Sequence, residues 1–307
     1  MTRIVLLANN IDEVGGAQRV VHVVAQGLAD RGHDVELVGM APFEPRHVFT
    51  ADPRYSMQTL MSGPWPAPPP KTGPARHSPA ARATTARRTA LEEEAVAGLA
   101  RVLGAGSPGV IVTAQLWAME FLAGVPHDEW AVIGQYHSSY AAATHGRDLA
   151  RIRSLYADVD VFTLLTPSDA EDFRREGLNN TMWLPNPLAF WPEQPVPADS
   201  KVITYVGRFS HEKGVAFLVD AWGLIGTRFP DWTLRLVGSG PEEESLRLRV
   251  ARLRKSQPEI RIDIAPVAVD VIQEYSHAGI VVLPSLTEGL PLVLAEAMAS
   301  GLPCIAS

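Results

Sequence analysis

Two cations stand just beyond an apolar run. Arg208 and Lys213 lie in Gly207-Arg208-Phe209-Ser210-His211-Glu212-Lys213-Gly214, directly after Val202–Val206. An arginine and a lysine in such a loop suit a diphosphate, the guanidinium through forked hydrogen bonds and the ammonium as a point charge. A solvated loop with two ordinary charges is the plainer alternative. Further on, Leu283-Pro284-Ser285-Leu286-Thr287-Glu288-Gly289-Leu290-Pro291 leads into a helical stretch that carries Glu296. Eight helical residues advance about 800°, roughly 80° past whole turns, so Glu288 and Glu296 can grip different parts of an extended ligand. Glu296 sits among Leu294, Ala295, Ala297 and Met298 and needs a partner there. A ribose diol would supply two hydroxyl donors, and an ion pair would serve as well. Near the N-terminus, Val14-Gly15-Gly16-Ala17 lets the backbone approach a ligand and puts helix-end amides against phosphate. It can equally be a tight strand-to-helix turn, and it fits neither GxGxxG nor GxxxxGK[ST].

The elements that must hold these residues alternate. Ile4–Ala8, Val35–Val38, Val110–Thr113, Ala131–Gln135 and Val161–Leu165 read as strands, with helices such as Ala17–Asp30 and Leu91–Leu103 between them. The rhythm restarts with strand Val202–Val206 and helix Gly214–Gly226, then strand Thr233–Val237 and helix Pro241–Arg254. Strand Ile260–Ile264, helix Val269–Ala278, strand Ile280–Leu283, helix Pro291–Ser300 and the run Pro303–Ala306 follow. Continuous apolar strands separated by helices indicate parallel sheets covered on both faces. The expected fold is α/β, with two doubly wound Rossmann-like domains facing across a cleft and ligands at the carboxyl ends of the strands.

Two breaks set the domain expectation. Residues 61–90 hold seven prolines, no acid, and Lys71, Arg76, Arg82, Arg87 and Arg88, which reads as a disordered basic insertion or as an arm for anionic lipid or an anionic acceptor. A second proline cluster spans 185–200. The expected layout is a domain over 1–190, a hinge over 191–200, and a second domain over 201–307 that is truncated at its C-terminus, since a covering helix should follow the last strand. With 307 residues there is material for both cores.

Composition excludes several classes. A net charge of −7 argues against a general nucleic-acid binder, and the single Cys304 rules out an intrachain disulfide framework. No run reaches the length of a membrane span, and the short apolar start reads as a strand, not a signal peptide. The expectation is a cytoplasmic protein with peripheral contact at an anionic membrane surface. Asp158-Val159-Asp160 spells a DxD but lacks any supporting pattern, so no metal is expected. No Gly-x-Ser-x-Gly elbow is present for a Ser-His-Asp site.

Taken together, the Gly-Gly-Ala-Gln-Arg start, Gly-Arg-(four residues)-Lys-Gly, Gly238-Ser239-Gly240-Pro241, Pro-Ser-(two residues)-Glu-Gly and the Glu288/Glu296 pair resemble the retaining glycosyltransferases built of two Rossmann domains. That resemblance implies transfer of a sugar from a UDP- or GDP-linked donor, with no separate cofactor, to a polysaccharide, lipid-linked or wall-polymer acceptor. It implies that Arg208 and Lys213 hold the diphosphate, Glu296 the ribose, and Glu288 the donor-sugar hydroxyls. Gly289, Leu290 and Leu292 would offer backbone to sugar or phosphate. Gly15 and Gly16, with Gly238 and Gly240, would line the donor, and His137 in Gly134-Gln135-Tyr136-His137-Ser138 would contact the sugar. Asn186-Pro187 matches the family's entry to the hinge. Ala265-Pro266 stands where the family has a glycine against the base. The competing expectations are a non-catalytic nucleotide-sugar-binding remnant and a UDP-sugar epimerase on the same fold.

Overall fold

The computed structural model describes residues 1–146, 148–192, 199–268 and 270–307. The chain forms two compact units, Met1–Ala189 and Phe190–Ser307. Most of the expected hinge, and the expected first residue of helix 269–278, lie outside the described residues.

The first unit runs β1(Arg3–Ala8), α1(Gly16–Ala29), β2(Asp34–Gly39), β3(Ser56–Thr59), α2(Pro79–Gly104), β4(Val110–Thr113), α3(Leu116–Leu122), β5(Ala131–Tyr136), α4(Tyr140–Gly146), α5(Leu149–Leu155), β6(Val161–Leu164), α6(Pro167–Arg175) and β7(Thr181–Trp183). Its seven strands are all parallel, in the order β3-β2-β1-β4-β5-β6-β7. Alternate residues of β1 serve opposite cores. Val5 and Leu7 pack with Ile111, Leu99 and Leu122 on one face, and Ile4 and Leu6 pack with Val21, Leu37 and Val112 on the other. Burial on both faces is why these strands read as unbroken apolar runs.

Residues 79–90 correct the expectation of a disordered insertion over 61–90: they are the first turns of α2. Pro79 occupies a first-turn position, where its missing N–H costs nothing. Ser78 Oγ caps the helix by accepting from Ala81 N at 3.1 Å. Alanine-rich sequence then propagates the helix without an apolar stripe, and only Ala81 is buried before Leu91. A short 3-10 turn, Pro74–His77, precedes it.

The second unit runs β8(Val202–Val206), α7(Val215–Ile225), β9(Thr233–Val237), α8(Glu243–Ser256), β10(Ile262–Ala265), α9(Val271–Ser276), β11(Ile280–Leu283), α10(Leu292–Ala299) and β12(Cys304–Ala306). The strands are parallel in the order β10-β9-β8-β11-β12. Tyr205, Val219, Trp222, Leu234 and Leu236 centre one core, and Tyr275, Val281, Ala297 and Leu302 the other. Both units are therefore doubly wound parallel α/β sheets. Strand order reverses between β1 and β4 in the first and between β8 and β11 in the second, and such reversals open a crevice at the carboxyl ends.

Candidate active site

In the second unit the two loops flanking the reversal are fastened together. Lys213 Nζ donates to Glu288 Oε1 at 2.6 Å, with the two side chains 29% and 23% exposed. Leu286 N donates to Glu212 O at 2.8 Å. Gly214 lies at φ 65°, and a Cβ there would stand 2.0 Å from Pro284 O; the contact between the loops depends on its being glycine. The loop after β9 closes in from the other side. Phe209 N donates to Ser239 O at 2.8 Å, and Glu242 N to Phe209 O at 2.9 Å. Gly238, at φ 155°, would drive a Cβ to 1.9 Å from Gly207 O. Gly240 packs as tightly against the Phe209 backbone. The glycines expected to meet a ligand thus also let two loops touch.

The electrostatics are polarised. Arg208 is exposed and has no ion-pair partner among the described residues. Ser210 Oγ donates to Glu212 Oε1 at 2.5 Å. That bond, with Lys213 and Arg208 nearby, holds the Glu212 carboxyl below its usual range. Tyr205 donates to Arg208 O at 2.8 Å and so shapes the loop from beneath. Burial, and then Glu288, Glu212 and Glu242, push its phenol up.

Glu288 lies in the loop that leads to α10 and Glu296 on the helix itself. Glu296 is 1% exposed on α10 and accepts from Tyr275 OH, on α9, at 3.1 Å. Gly289 and Leu290 lie in the half-buried approach to α10, and Leu292 is its first residue after Pro291. Ser285 Oγ and Glu242 Oε2 are enclosed without a hydrogen-bond partner. Tyr275 and Glu242 escaped sequence reasoning, and Ser285 entered only as part of the Pro-Ser motif. Tyr275 falls within the helix expected over 269–278, and only the packing of α9 on α10 gives it a role.

In the first unit, Gly15 and Gly16 form the turn from β1 into α1. Gly15 is extended, so torsion alone does not demand glycine, but a Cβ would fall 2.5 Å from Gln18 Oε1. Gln18 Nε2 donates to Asn10 Oδ1 at 2.8 Å, and Asn10 Nδ2 to Glu13 Oε2 at 2.9 Å. Asn9 joins the loops on either side of the reversal: its N–H donates to Gln115 Oε1 at 2.8 Å and its Oδ1 accepts from Ala118 N at 3.1 Å.

His137 follows β5 and borders a cavity of about 30 Å³ lined by Gln135, Thr163, Asn186, Val20 and Val24 among others. Burial lowers its pKa to about 4, opposed by a hydrogen bond with the Asn186 side chain. Its Nδ1 is enclosed without a partner. A neutral imidazole can exchange hydrogen bonds with a hydroxyl but brings no charge to a phosphate. Asn186, read from sequence as a hinge marker, is thus a partner of His137. In the DxD, Asp160 Oδ2 accepts from Val132 N at 2.7 Å, so that carboxylate pins β5.

Residues 14–188 match the family profile described as Glycosyltransferase Family 4, and residues 200–307 match that of Glycosyl transferases group 1. An uncharacterized glycosyltransferase of Haemophilus influenzae is 29% identical over 311 residues, which cover all of this chain and 80% of the relative. The exopolysaccharide phosphotransferase SCO2592 of Streptomyces coelicolor is 25% identical over 96% of this chain, and the chain spans only 32% of its length. Among solved structures, S. aureus TarM superposes with a TM-score of 0.77 at 10% identity, over all of this chain and 85% of that one. Anabaena HepE does so with 0.72 at 17% identity, over all of this chain and 80% of that one. At those identities the superpositions speak for the fold of two Rossmann-like units. The first profile spans more than half of the sequence, and the protein belongs to glycosyltransferase family 4.

Proposed function

We propose that the protein transfers a hexosyl group from a nucleoside diphosphate sugar to a hydroxyl of a glycan acceptor, with retention at the anomeric carbon. The observation that carries this is the Lys213–Glu288 pair beside the exposed Arg208, at the carboxyl ends of β8 and β11. In the reaction the bond between the anomeric carbon and the diphosphate oxygen breaks, and a bond to the acceptor oxygen forms. The nucleoside diphosphate departs with the bonding pair, and the acceptor hydroxyl gives up its proton to the departing diphosphate oxygen. Arg208 and Lys213 stabilise the charge gathering on the leaving diphosphate. A preorganised cation is most effective there because no solvent must reorganise around it.

On this proposal Glu296 accepts from the ribose hydroxyls, joined by Tyr275. Glu288 faces donor-sugar hydroxyls once the diphosphate shares Lys213. Gly289, Leu290 and Leu292 present backbone to the donor. Gly15, Gly16 and the Gly238–Gly240 turn accommodate phosphate, and neutral His137 hydrogen-bonds a sugar hydroxyl. HepE has been solved with UDP-glucose, and TarM with UDP; these complexes support a reading with uracil, not guanine, as the donor's base. We read the setting as cytoplasmic.

Calorimetric titration of the chain with UDP and with GDP tests this. One nucleotide should bind, and Arg208→Ala should weaken it about tenfold or more, the usual cost of a lost charged hydrogen bond. Glu296→Ala should weaken it comparably. Undiminished binding in both variants would remove the second-unit loops from the donor site.

A further inference from the structure

The basic stretch of the first unit is a built surface. Ser62 donates from its N–H and its hydroxyl to the two Glu94 oxygens, at 2.8 and 3.1 Å. Arg88 Nη1 donates to Pro66 O at 2.6 Å. The segment after β3 is thereby strapped along α2. Between the straps Trp65 is half-buried, with the Arg88 guanidinium 4.2 Å above its ring and Trp117 packed 5.2 Å away. Arg87 lies against Gly63, where a Cβ would stand 3.0 Å from its Nη2. Trp117 is four residues past the end of β4, and Trp65 six past the end of β3. The ledge therefore stands over the carboxyl edge of the sheet, the same edge that carries Gly15, Gly16 and His137.

The charge partition is sharp. Residues 53–91 carry six lysines and arginines and no acid, in a chain of net charge −7. Among the described residues Lys71, Arg76, Arg82, Arg87 and Arg88 have no carboxylate partner. Hydrogen bonding and stacking fix the plane of Arg88 while leaving it N–H donors. The Arg88 guanidinium covers one face of Trp65, and the indole surface left open on Trp65 and Trp117 matches a pyranose that bears an anion: the apolar face of the sugar rests on that surface and its acid on the fork. A bilayer fits less well. Among the described residues, no large hydrophobic side chain is exposed between Met57 and Met182, so nothing there would enter acyl chains.

We infer that Trp65, Trp117, Arg87 and Arg88 form an acceptor subsite for an acidic glycan, a chain of pyranoses bearing carboxylates or phosphates. The inference rests on the glycosyltransferase proposal only for the word acceptor.

The test is titration of the full chain, followed by tryptophan fluorescence, with trigalacturonate, 6-phosphorylated maltotriose and plain maltotriose. At least one acidic trimer should bind about tenfold tighter than maltotriose, and the tighter of the two names the anion. Arg87→Ser with Arg88→Ser should abolish that preference, and Trp65→Ala should weaken acidic binding about threefold to tenfold. Arg87 is exposed and Arg88 half-buried, and neither belongs to the hydrophobic core, so the fold survives the pair of changes; Arg87→Ser alone, which keeps the Arg88 strap on Pro66, should already lower the preference. Trp65→Phe, which keeps a ring, should recover most of what Trp65→Ala loses. Equal binding of all three trimers, or acidic binding untouched by the arginine changes, overturns the inference. So does binding only to vesicles of phosphatidylglycerol, unaffected by Trp65→Ala, which would assign the ledge to a membrane. Titration with UDP and with GDP on the same samples separates the two proposals: acidic-glycan binding with neither nucleotide bound leaves the subsite standing and removes the transferase reading.

Discussion

At the scale of single residues, His137 has the clearest measurable consequence. Its folded pKa of about 4 lies below the ordinary 6.5 because burial disfavours the cation. The unfolded chain takes up the proton first, so the contribution to stability is full above pH 6.5 and is lost as the pH falls toward 4. The loss is at most about 3 kcal/mol. Buried His22, which bonds Tyr55 OH at 2.6 Å and Ile11 O at 2.7 Å, is shifted the same way by burial. Urea midpoints at pH 7.5 and pH 5.0 should therefore differ less for His137→Gln than for the parent; an equal drop would mean that His137 is not buried neutral. Residue types and spacing singled out Arg208, Lys213, Glu288 and Glu296, and the family resemblance added His137. Their partners were not legible. Tyr275 lies 21 residues from Glu296, and Trp65 and Trp117 are brought together only by the strand order, so no local pattern could have announced either contact.

At the scale of elements, the loop after β8 depends on one backbone conformation. Gly214→Ala combines a left-handed φ with a collision against Pro284 O, and the second unit should lose at least about 2 kcal/mol. Denaturation of the variant checks the stability, and its nucleotide affinity should fall with it because Lys213 and Glu288 lose register. A variant of parental stability would show that the two loops do not touch. β4, β8, β9 and β11 were readable to the residue from their apolar runs, since burial on both faces leaves little else to read. β3 was not: three of its four residues are exposed at the sheet edge, and Ser-Met-Gln-Thr has no apolar pattern. β7 is only three residues long. The start of α2 was hidden for the opposite reason, because Pro79 and the arginines resemble the end of a solvated arm while the alanines quietly propagate a helix.

At the scale of the whole molecule, each unit has its own cores, so a ligand of one can be followed through its stability. Nucleotide at about 100 times its dissociation constant should raise the unfolding free energy of the unit that binds it by about 2.7 kcal/mol. Differential scanning calorimetry should show that rise in the parent and not in Arg208→Ala; an equal rise in both would move the nucleotide elsewhere. The acidic net charge disfavours the approach of any polyanion, yet the donor proposed for this protein is one. The Lys213–Glu288 pair alters how that repulsion is met. Lys213 is already neutralised, so on the proposed function an incoming diphosphate competes there with a resident carboxylate, while the exposed Arg208 offers it a bare cation. Glu288 acts as a built-in counter-ion, as in an ion-exchange resin. The Lys213 share of such binding should respond only weakly to added salt, because the protein, not the buffer, supplies the competing anion there, and the salt response that remains belongs to Arg208.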